Sequence, residues 1–353
     1  MIIRDLKLSG FRNLEDYRVS FCRDKNLIYG LNGTGKTSIL EAIFLSGFGK
    51  SFLSVKKSDI VNDGSDQFNL HLTMANANDR EHIHENIISA HYSKDKGIFS
   101  LLLNDKKSNI FEISAYLYPL IFSSSNYNQY IESKTYIRKL VDRFVFGINA
   151  LYINYLLSYN RALKQKNHLL KVRPDGDEIR SWNTVLSEVS EKIVGAKMKF
   201  IDLVNHEIHN KFGRDLQLNY APAAGGISPI PEISQAFFFN QLEKLKQSEM
   251  LQKRSLMGPH LDHFEIRLNR KNLKFYSSGE KKINLLMIYI AFIELFKKQK
   301  NEYPVFLVDD FDTAIDVENI DFLIKNYPDL QVIATSVNKN NGFNRLIELR
   351  KEN

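Results

Sequence analysis

A glycine-rich segment ending in lysine and threonine occupies residues 30–37 and satisfies the spacing G-x-x-x-x-G-K-[ST]. Glycines at this spacing let backbone N–H groups turn inward around phosphate oxygens, and a helix starting there adds a positive dipole end. The amine of Lys36 would reach the β- and γ-phosphates, and the Thr37 hydroxyl would ligate Mg²⁺. The segment therefore predicts a P-loop for ATP and Mg²⁺, the alternative being a glycine-rich structural turn. The residues expected to hold the nucleotide are Gly30, Leu31, Asn32, Gly33, Thr34, Gly35, Lys36, Thr37 and Ser38.

Two acids, Asp309 and Asp310, follow four apolar residues in the stretch VFLVDD. A buried strand that delivers a carboxylate at its carboxyl end is the Walker B arrangement of nucleotide hydrolases. We expect Asp309 to hold Mg²⁺ through water and Asp310 to orient the attacking water, with Lys36 as a further catalytic residue. The same pattern alone would also fit a strand ending in a solvated acidic turn, but a P-loop in the same chain favours hydrolysis.

Residues 276–280, YSSGE, open a long apolar helix and admit two interpretations. One is a helix N-cap, with Ser277 or the next serine capping and Glu280 in the first turn. The other is a resemblance to the signature of ABC-type ATPases, which implies that Ser277 and Gly279 contact ATP bound to a second copy and act as catalytic residues there. Asp316 falls at the D-loop position of the same superfamily. The P-loop is common to many nucleotide hydrolases, whereas the three motifs together indicate an ABC-type ATPase.

The elements that must position these motifs change character along the chain. Short strand-like runs surround the helix KTSILEAIFLSG in the first hundred or so residues, long helical patterns follow, and strand patterns then return. This order predicts an α/β fold, an ABC-type ATPase head with a mixed sheet and an inserted helical lid subdomain. The expected boundaries are 1–127 for the N-terminal part of the head, 128–250 for the lid and 251–353 for the C-terminal part.

The 353 residues are 43% apolar and 25% charged, a composition typical of a globular protein. A formal net charge of +7 favours a polyanionic partner, such as nucleic acid or an anionic membrane surface. One cysteine, Cys22, excludes an intramolecular disulfide. No apolar run resembles a secretory signal or approaches the roughly 18 residues of a membrane span, so we expect a cytoplasmic protein without a membrane partner.

With these motifs in place, the sequence resembles the RecF family of bacterial recombination proteins over nearly its whole length. The matching stretches are FRNL, GLNGTGKTSILEAIFLSGFGKSF, YIRKLVDR, YNRALKQKNHLL, GPHLDHFEI, YSSGEKK and VFLVDDFDTAID. The resemblance implies an ATP-dependent homodimer with weak, DNA-stimulated ATPase activity that serves as a switch. It also implies binding of double-stranded DNA and of gapped or junction DNA, help in loading a recombinase, RecR and RecO proteins as partners, and association with the nucleoid.

Some positions depart from the family's usual residues. Ser124, Ser125 and Asn126 replace a proline followed by an acid, which puts a Q-loop role in doubt. Leu261 and His263 stand where the family has a basic and an acidic residue, and Glu280 replaces the commoner glutamine. Roles at the first five of these positions are therefore not carried over from the family. Glu280 keeps the hydrogen-bonding reach of glutamine, adds charge close to where phosphate should dock, and stays among the residues expected to bind the nucleotide.

The helical region has no acid between Asp142 and Asp175. This region contains the basic residues Arg161, Lys164, Lys166, Lys171 and Arg173, with tyrosines at 152, 155 and 159 just upstream. These residues suit phosphate-backbone contact, and the alternative is a solvated helix face with core tyrosines. His260 and His263 fit a structural role better than a metal site.

Other functional classes stay open at this point. They are an ABC-type ATPase subunit of another DNA-processing, defence or transport complex, and a DNA-binding protein without catalysis. The long helical insertion argues against a transporter subunit, and the combination of Lys36, Asp309 and Asp310 argues against a non-catalytic protein.

Overall fold

A computed structural model describes residues 1–53, 56–75, 85–123, 127–172, 175–226, 232–314 and 325–350. In chain order the strands are β1 (Ile2–Phe11), β2 (Leu14–Ser20), β3 (Lys25–Tyr29), β4 (Gln67–Ala75), β5 (Asn86–Ser93), β6 (Ile98–Leu103), β7 (Lys106–Lys107), β8 (Pro119–Ser123), β9 (Leu216–Ala221), β10 (His263–Leu268), β11 (Lys271–Asn272), β12 (Val305–Asp309), β13 (Val332–Ser336) and β14 (Arg345–Glu348). The helices are α1 (Lys36–Phe48), α2 (Ile110–Ile113), α3 (Tyr127–Glu132), α4 (Lys134–Ile148), α5 (Tyr152–Val172), α6 (Gly176–Phe212), α7 (Gln235–Gln252), α8 (Ser278–Lys300) and α9 (Phe311–Ala314).

Contacts within the chain divide it into two compact units. The first unit comprises Met1–Tyr127 and Phe296–Asn353, and the second comprises Asn128–Leu295. The division expected from the sequence differs from these units in residues 251–295, which group with the helices of the second unit. That division stays a prediction.

The first unit contains a parallel sheet whose strand order, among the described residues, is β14-β3-β13-β12-β8. Every residue of β12 and β13 is buried, the pattern of parallel strands covered on both faces. In register, Val308 pairs with Ala334 of β13, and Ser336 pairs with Tyr29 of β3. Because the strands run parallel, the segments that follow β3 and β12 emerge at the same edge of the sheet.

A second sheet of the first unit is antiparallel, with the order β2-β1-β4-β5-β6-β7 among the described strands. Helix α1 contacts β1, β4 and β5 of this sheet and β8, β12 and β13 of the parallel sheet. A helix covered from two sides must be apolar around most of its circumference. Accordingly α1 buries most of its residues, including Ile39, Ile43 and Phe44.

The second unit is built around α6, which has 37 residues and is therefore about 55 Å long. Its first turn is capped by Asp175, whose carboxylate accepts backbone hydrogen bonds from Asp177 and Glu178. Buried side chains recur every three or four residues along α6, and α5 and α7 pack against it. Strands β9, β10 and β11 form a small antiparallel sheet in this unit. Among the described helices of the chain, including α6, none is both long and apolar enough to cross a bilayer.

Candidate functional site

The predicted P-loop connects β3 to α1 through a turn that two glycines make possible. Gly30 has a φ of 151°, and a Cβ atom there would lie 2.2 Å from the carbonyl oxygen of Leu349. Gly35 has a φ of 103°, and its Cβ would lie 2.9 Å from Cδ2 of Leu14. A side chain at either position would therefore displace neighbouring structure. Within the described residues no side chain caps α1, which leaves the N–H groups of its first turn to an external acceptor.

The side chain of Lys36 lies over the P-loop and is almost fully buried. Its Nζ donates to the carbonyl oxygens of Gly30 at 2.7 Å and of Leu31 at 2.9 Å. Burial lowers the pKa of Lys36, while the charges of Asp310 and Asp309 act to raise it. The Lys36 amine is thus held at the loop by its two carbonyl partners.

The two predicted magnesium residues are in direct contact. The hydroxyl of Thr37 donates to Oδ1 of Asp309 at 2.9 Å, and Asp309 is buried at the end of β12. Burial raises the pKa of Asp309, as does the charge of Asp310, whereas hydrogen bonds from Thr335, Thr37 and Ser123 lower it. A hydroxyl and a carboxylate are oxygen donors of the kind that Mg²⁺ prefers.

A magnesium ion at this point would need further oxygen ligands. Among the described residues, no group of three or more His, Cys, Asp or Glu side chains could hold a metal ion. Mg²⁺ in phosphate-transferring sites is commonly bound by one or two protein oxygens together with phosphate oxygens and water. The pair formed by Thr37 and Asp309 therefore fits a magnesium ion that arrives with a nucleotide.

Asp310 is the first residue after β12 and has a left-handed φ of 49°. Its backbone N–H donates to Oγ1 of Thr335 at 2.9 Å, and the same hydroxyl donates to Oδ1 of Asp309 at 2.9 Å. Thr335 was missed from the sequence, where it is one residue of the apolar run LQVIATS. The parallel pairing of Val308 with Ala334 is what places Thr335 beside both acids.

A second missed residue, Asn13, ties the turn between β1 and β2 to the P-loop. Its Nδ2 donates to the carbonyl oxygen of Gly33 at 3.1 Å, and Ser38 donates to its Oδ1 at 3.1 Å. The preceding Arg12 forms a bidentate ion pair with the fully buried Glu41 of α1, with both N···O distances 2.8 Å. Both residues belong to the stretch FRNL, which matches the family resemblance but did not indicate what either residue does.

The remaining predicted P-loop residues differ in exposure. Leu31 is 72% exposed, and Asn32 and Gly33 are exposed beside it. Thr34 is buried, and its hydroxyl donates to the carbonyl oxygen of Leu31 at 3.0 Å. The tip of the loop is therefore accessible from solvent.

The predicted signature segment forms a helix cap in the second unit. Ser277 donates to Oε2 of Glu280 from its hydroxyl at 2.6 Å and from its backbone N–H at 3.1 Å. The N–H of Glu280 donates back to Oγ of Ser277 at 3.4 Å, which completes a capping box at the start of α8. These hydrogen bonds lower the pKa of Glu280. Ser277, Gly279 and Glu280 are all exposed, so the cap leaves the segment accessible to a second molecule.

Several expectations lie outside the described residues. These are the D-loop residue Asp316, the departures Ser124, Ser125 and Asn126, and the basic residue Arg173.

One predicted DNA-contacting residue, Lys166, is wrongly assigned. Lys166 and Glu249 are both fully buried, and Nζ and Oε2 lie 2.7 Å apart. The reason is helical periodicity, because the buried residues of α5 include Tyr159, Ala162 and Leu170, and position 166 lies on the same face. The lysine is therefore committed to an internal ion pair, in which burial lowers its pKa. The exposed lysine and arginine residues of α5 are Arg161, Lys164 and Lys171.

His260 has a structural role. Its Nδ1 is hydrogen bonded to the hydroxyl of Tyr159 at 2.6 Å, and its carbonyl oxygen accepts from Arg138. Burial lowers the pKa of His260 to about 4, and the charge of Arg138 acts in the same direction. His263 is instead partly exposed and lies 3.2 Å from Glu265.

The chain is similar in sequence to a family of known proteins. The model of the RecF/RecN/SMC N-terminal domain matches residues 2–351. The DNA replication and repair protein RecF of Acetivibrio thermocellus is 30% identical over 98% of this chain and 95% of its own length. The protein of the same name from Agathobacter rectalis is 30% identical over 95% of this chain and 92% of its own length.

Solved structures show the same fold. A structure of the recombination mediator protein RecF with ATP, described in the RecFOR pathway, is 25% identical with a TM-score of 0.85 and covers 96% of this chain and 93% of its own. An Smc head domain from Pyrococcus furiosus is 18% identical with a TM-score of 0.55, covering 99% and 94%. The predicted α/β fold of an ABC-type ATPase head is confirmed.

Proposed function

Because this chain belongs to the RecF family of DNA replication and repair proteins, we propose that it is an ATP-controlled DNA-binding protein of recombinational repair. The observation that carries the proposal is the convergence of Lys36, Thr37 and Asp309 at one edge of the parallel sheet. Family and fold imply an ATPase. The gapped or junction DNA, the recombinase loading and the switch mechanism are our proposals.

In the proposed site the loop N–H groups and the first turn of α1 surround the phosphates. Lys36 exchanges its two carbonyl partners for phosphate oxygens, which is favourable because a charged acceptor replaces neutral ones. Thr37 and Asp309 would hold Mg²⁺, which when bound neutralises charge on the phosphates. Asp310 orients the water that attacks the terminal phosphate.

A second copy of the chain completes the site in this proposal. Ser277 and Gly279 of one copy contact ATP held by the other, and the D-loop role of Asp316 is part of the same proposal. The exposure of the capped segment supports this assignment, since the N-terminus of α8 offers N–H groups and a positive dipole end to phosphate. ATP then stabilises a homodimer, and slow, DNA-stimulated hydrolysis releases it.

DNA is proposed to bind through phosphate contacts from the exposed basic residues Arg161, Lys164 and Lys171. The net charge of +7 supports a polyanionic partner.

We further propose that the RecR and RecO proteins act with this protein, that it works in the cytoplasm, and that it is nucleoid-associated when on DNA. Double-stranded DNA and single/double-strand junctions are the proposed substrates.

The test is DNA affinity measured with ATP, with ADP and without nucleotide at fixed salt. If ATP and DNA favour the same dimer, each must tighten the other by the same factor. A coupling of about 1 to 3 kcal/mol corresponds to roughly 5- to 150-fold tighter DNA binding with ATP than with ADP. Equal affinity in the two states, with ATP-dependent dimerisation verified by light scattering, would exclude the switch.

A further inference from the structure

We propose that Thr335 is a positioning residue of the ATPase site, whose single hydroxyl orients both Asp309 and Asp310. Thr335 is fully buried near the carboxyl end of β13, next to β12. Its Oγ1 lies 2.9 Å from Oδ1 of Asp309 and 2.9 Å from the backbone nitrogen of Asp310. The inference rests on the proposed function, because it assigns Thr335 to the hydrolysis of ATP at that site.

The direction of each hydrogen bond follows from the groups involved. A backbone N–H can only donate, so the hydroxyl accepts from Asp310, and its one hydrogen is left for the carboxylate of Asp309. A threonine hydroxyl can satisfy both partners at once, whereas an apolar side chain can satisfy neither. The same hydroxyl thus links the carboxylate of one acid to the backbone of the next.

For Asp309 the consequence is a defined carboxylate orientation. Oδ1 accepts from two hydroxyls, those of Thr37 and Thr335, each at 2.9 Å. Oδ2 has a longer contact, 3.5 Å to Oγ of Ser123. The more weakly engaged oxygen keeps acceptor capacity for a magnesium-bound water. Without the Thr335 hydroxyl, one of the two donors that fix this orientation is gone.

For Asp310 the consequence concerns the backbone. A left-handed conformation is disfavoured for a non-glycine residue, although aspartate tolerates it better than most. The φ of 49° determines the direction in which the Asp310 carboxylate leaves the chain. The bond from its N–H to Thr335 holds that conformation. Without the hydroxyl, Asp309, which is predicted to hold magnesium, and Asp310, which is predicted to orient water, each lose a hydrogen bond that positions them.

Phosphate binding should depend on Thr335 much less than hydrolysis does. The Lys36 ammonium is held by carbonyl oxygens of Gly30 and Leu31, within the P-loop itself. We therefore expect Thr335→Val, which keeps the shape of the side chain, to lower the kcat for ATP about tenfold or more and to change KM less than about threefold. Thr335→Ser, which keeps the hydroxyl, should remain within about threefold of the wild-type kcat.

The experiment measures steady-state ATP hydrolysis of the full-length wild type, Thr335→Val, Thr335→Ser and the control Ser46→Ala. Ser46 is also a fully buried hydroxyl residue of the first unit, but it donates to the carbonyl oxygen of Ala42 within α1. Its loss should leave kcat unchanged. Melting by circular dichroism accompanies each assay, and if Thr335→Val does not fold, Thr335→Ala replaces it in the comparison with Thr335→Ser.

The outcomes separate this inference from the proposed function. Wild-type kcat in the folded hydroxyl-free variant overturns the inference alone, and so does an equal loss in Thr335→Ser, which would assign the effect to side-chain volume. A KM increase that accounts for the whole loss also overturns it. A wild-type protein that neither binds nor hydrolyses ATP refutes the proposed function, and the inference with it.

Discussion

The hydroxyl of Thr37 donates a 2.9 Å hydrogen bond to Oδ1 of Asp309, a residue 272 positions away in the sequence. This contact joins the first turn of α1 to the end of β12. It exists because β3 and β12 run parallel in one sheet, so that the P-loop and the acidic pair emerge at the same edge. The P-loop threonine and the strand-end acid, both expected to hold Mg²⁺, are therefore in direct contact.

Lys36→Ala and Asp310→Asn should separate binding from hydrolysis. The first removes the charge that compensates the phosphates and should weaken ATP binding about tenfold or more. The second should leave ATP bound and slow hydrolysis about a hundredfold or more. Binding of a fluorescent ATP analogue and steady-state hydrolysis measure the two effects.

A matched control for the second variant is Asp105→Asn. Asp105 is exposed in the turn between β6 and β7 and has a left-handed φ of 62°. It should hydrolyse ATP at the wild-type rate. If Asp310→Asn does so too, Asp310 has no part in the chemistry.

Ser277→Arg should block ATP-induced dimerisation while leaving the ATP affinity of the monomer nearly intact. The arginine would occupy the surface proposed to meet ATP on the other copy. Loss of the capping box should cost about 1 kcal/mol of stability, which a melting curve measures separately. Light scattering with ATP reports dimerisation, and Ser181→Arg, at an exposed serine of α6, is the control. A Ser277→Arg protein that still dimerises would leave the segment with its capping role only.

Replacing Arg161, Lys164 and Lys171 together with alanine should make the salt dependence of DNA binding shallower. Each lost phosphate contact reduces the slope of log K against log salt by about 0.9 for double-stranded DNA. Sequence preference should not change, because phosphate contacts carry no sequence information directly. Fluorescence anisotropy at several salt concentrations measures the slope. An unchanged slope would place the DNA-binding surface elsewhere on the molecule.

Lys166→Met should lower the free energy of unfolding, and it does not test DNA binding because this lysine is buried. Removing one partner of a buried ion pair costs about 3 to 5 kcal/mol, because the other charge stays buried. Adding Glu249→Gln should recover much of the loss, since glutamine can still accept from Ser255 and Leu256 as the carboxylate does. Urea unfolding measures both variants. A single variant as stable as the wild type would contradict the role of this ion pair.

Acid should destabilise the protein through His260. Its pKa is about 4 in the folded chain against an ordinary 6.5, so between these values the unfolded chain binds more protons and stability falls as the pH falls. The full effect is about 3 kcal/mol, reached near pH 4. His260→Gln should reduce the difference in urea midpoint between pH 7 and pH 5. The exposed His168→Gln should leave the wild-type difference unchanged, and equal behaviour of the two variants would contradict the assignment.

The sequence by itself determined the motifs and the elements that carry them. The P-loop needs glycine, lysine and threonine at set positions in one short segment, and the run VFLVDD is recognisable because a buried strand and the acids at its end are contiguous. The helix after the P-loop and the strands around it were predicted on the same ground. Such features depend on residues that are neighbours in the chain, and the family resemblance depends on the same stretches.

The tertiary structure decided which distant residues meet and which side chains are buried. Thr335 became a candidate only because the register of β12 and β13 sets its hydroxyl beside two acids of another strand. In the sequence, Lys166 is a basic residue of the same helix as Lys164 and Lys171. In the structure it lies on the buried face of α5 and pairs with Glu249 of α7. Pairing partners from separate elements leave no local pattern, because hydrogen bonds and ion pairs depend on distance in space and not on spacing along the chain.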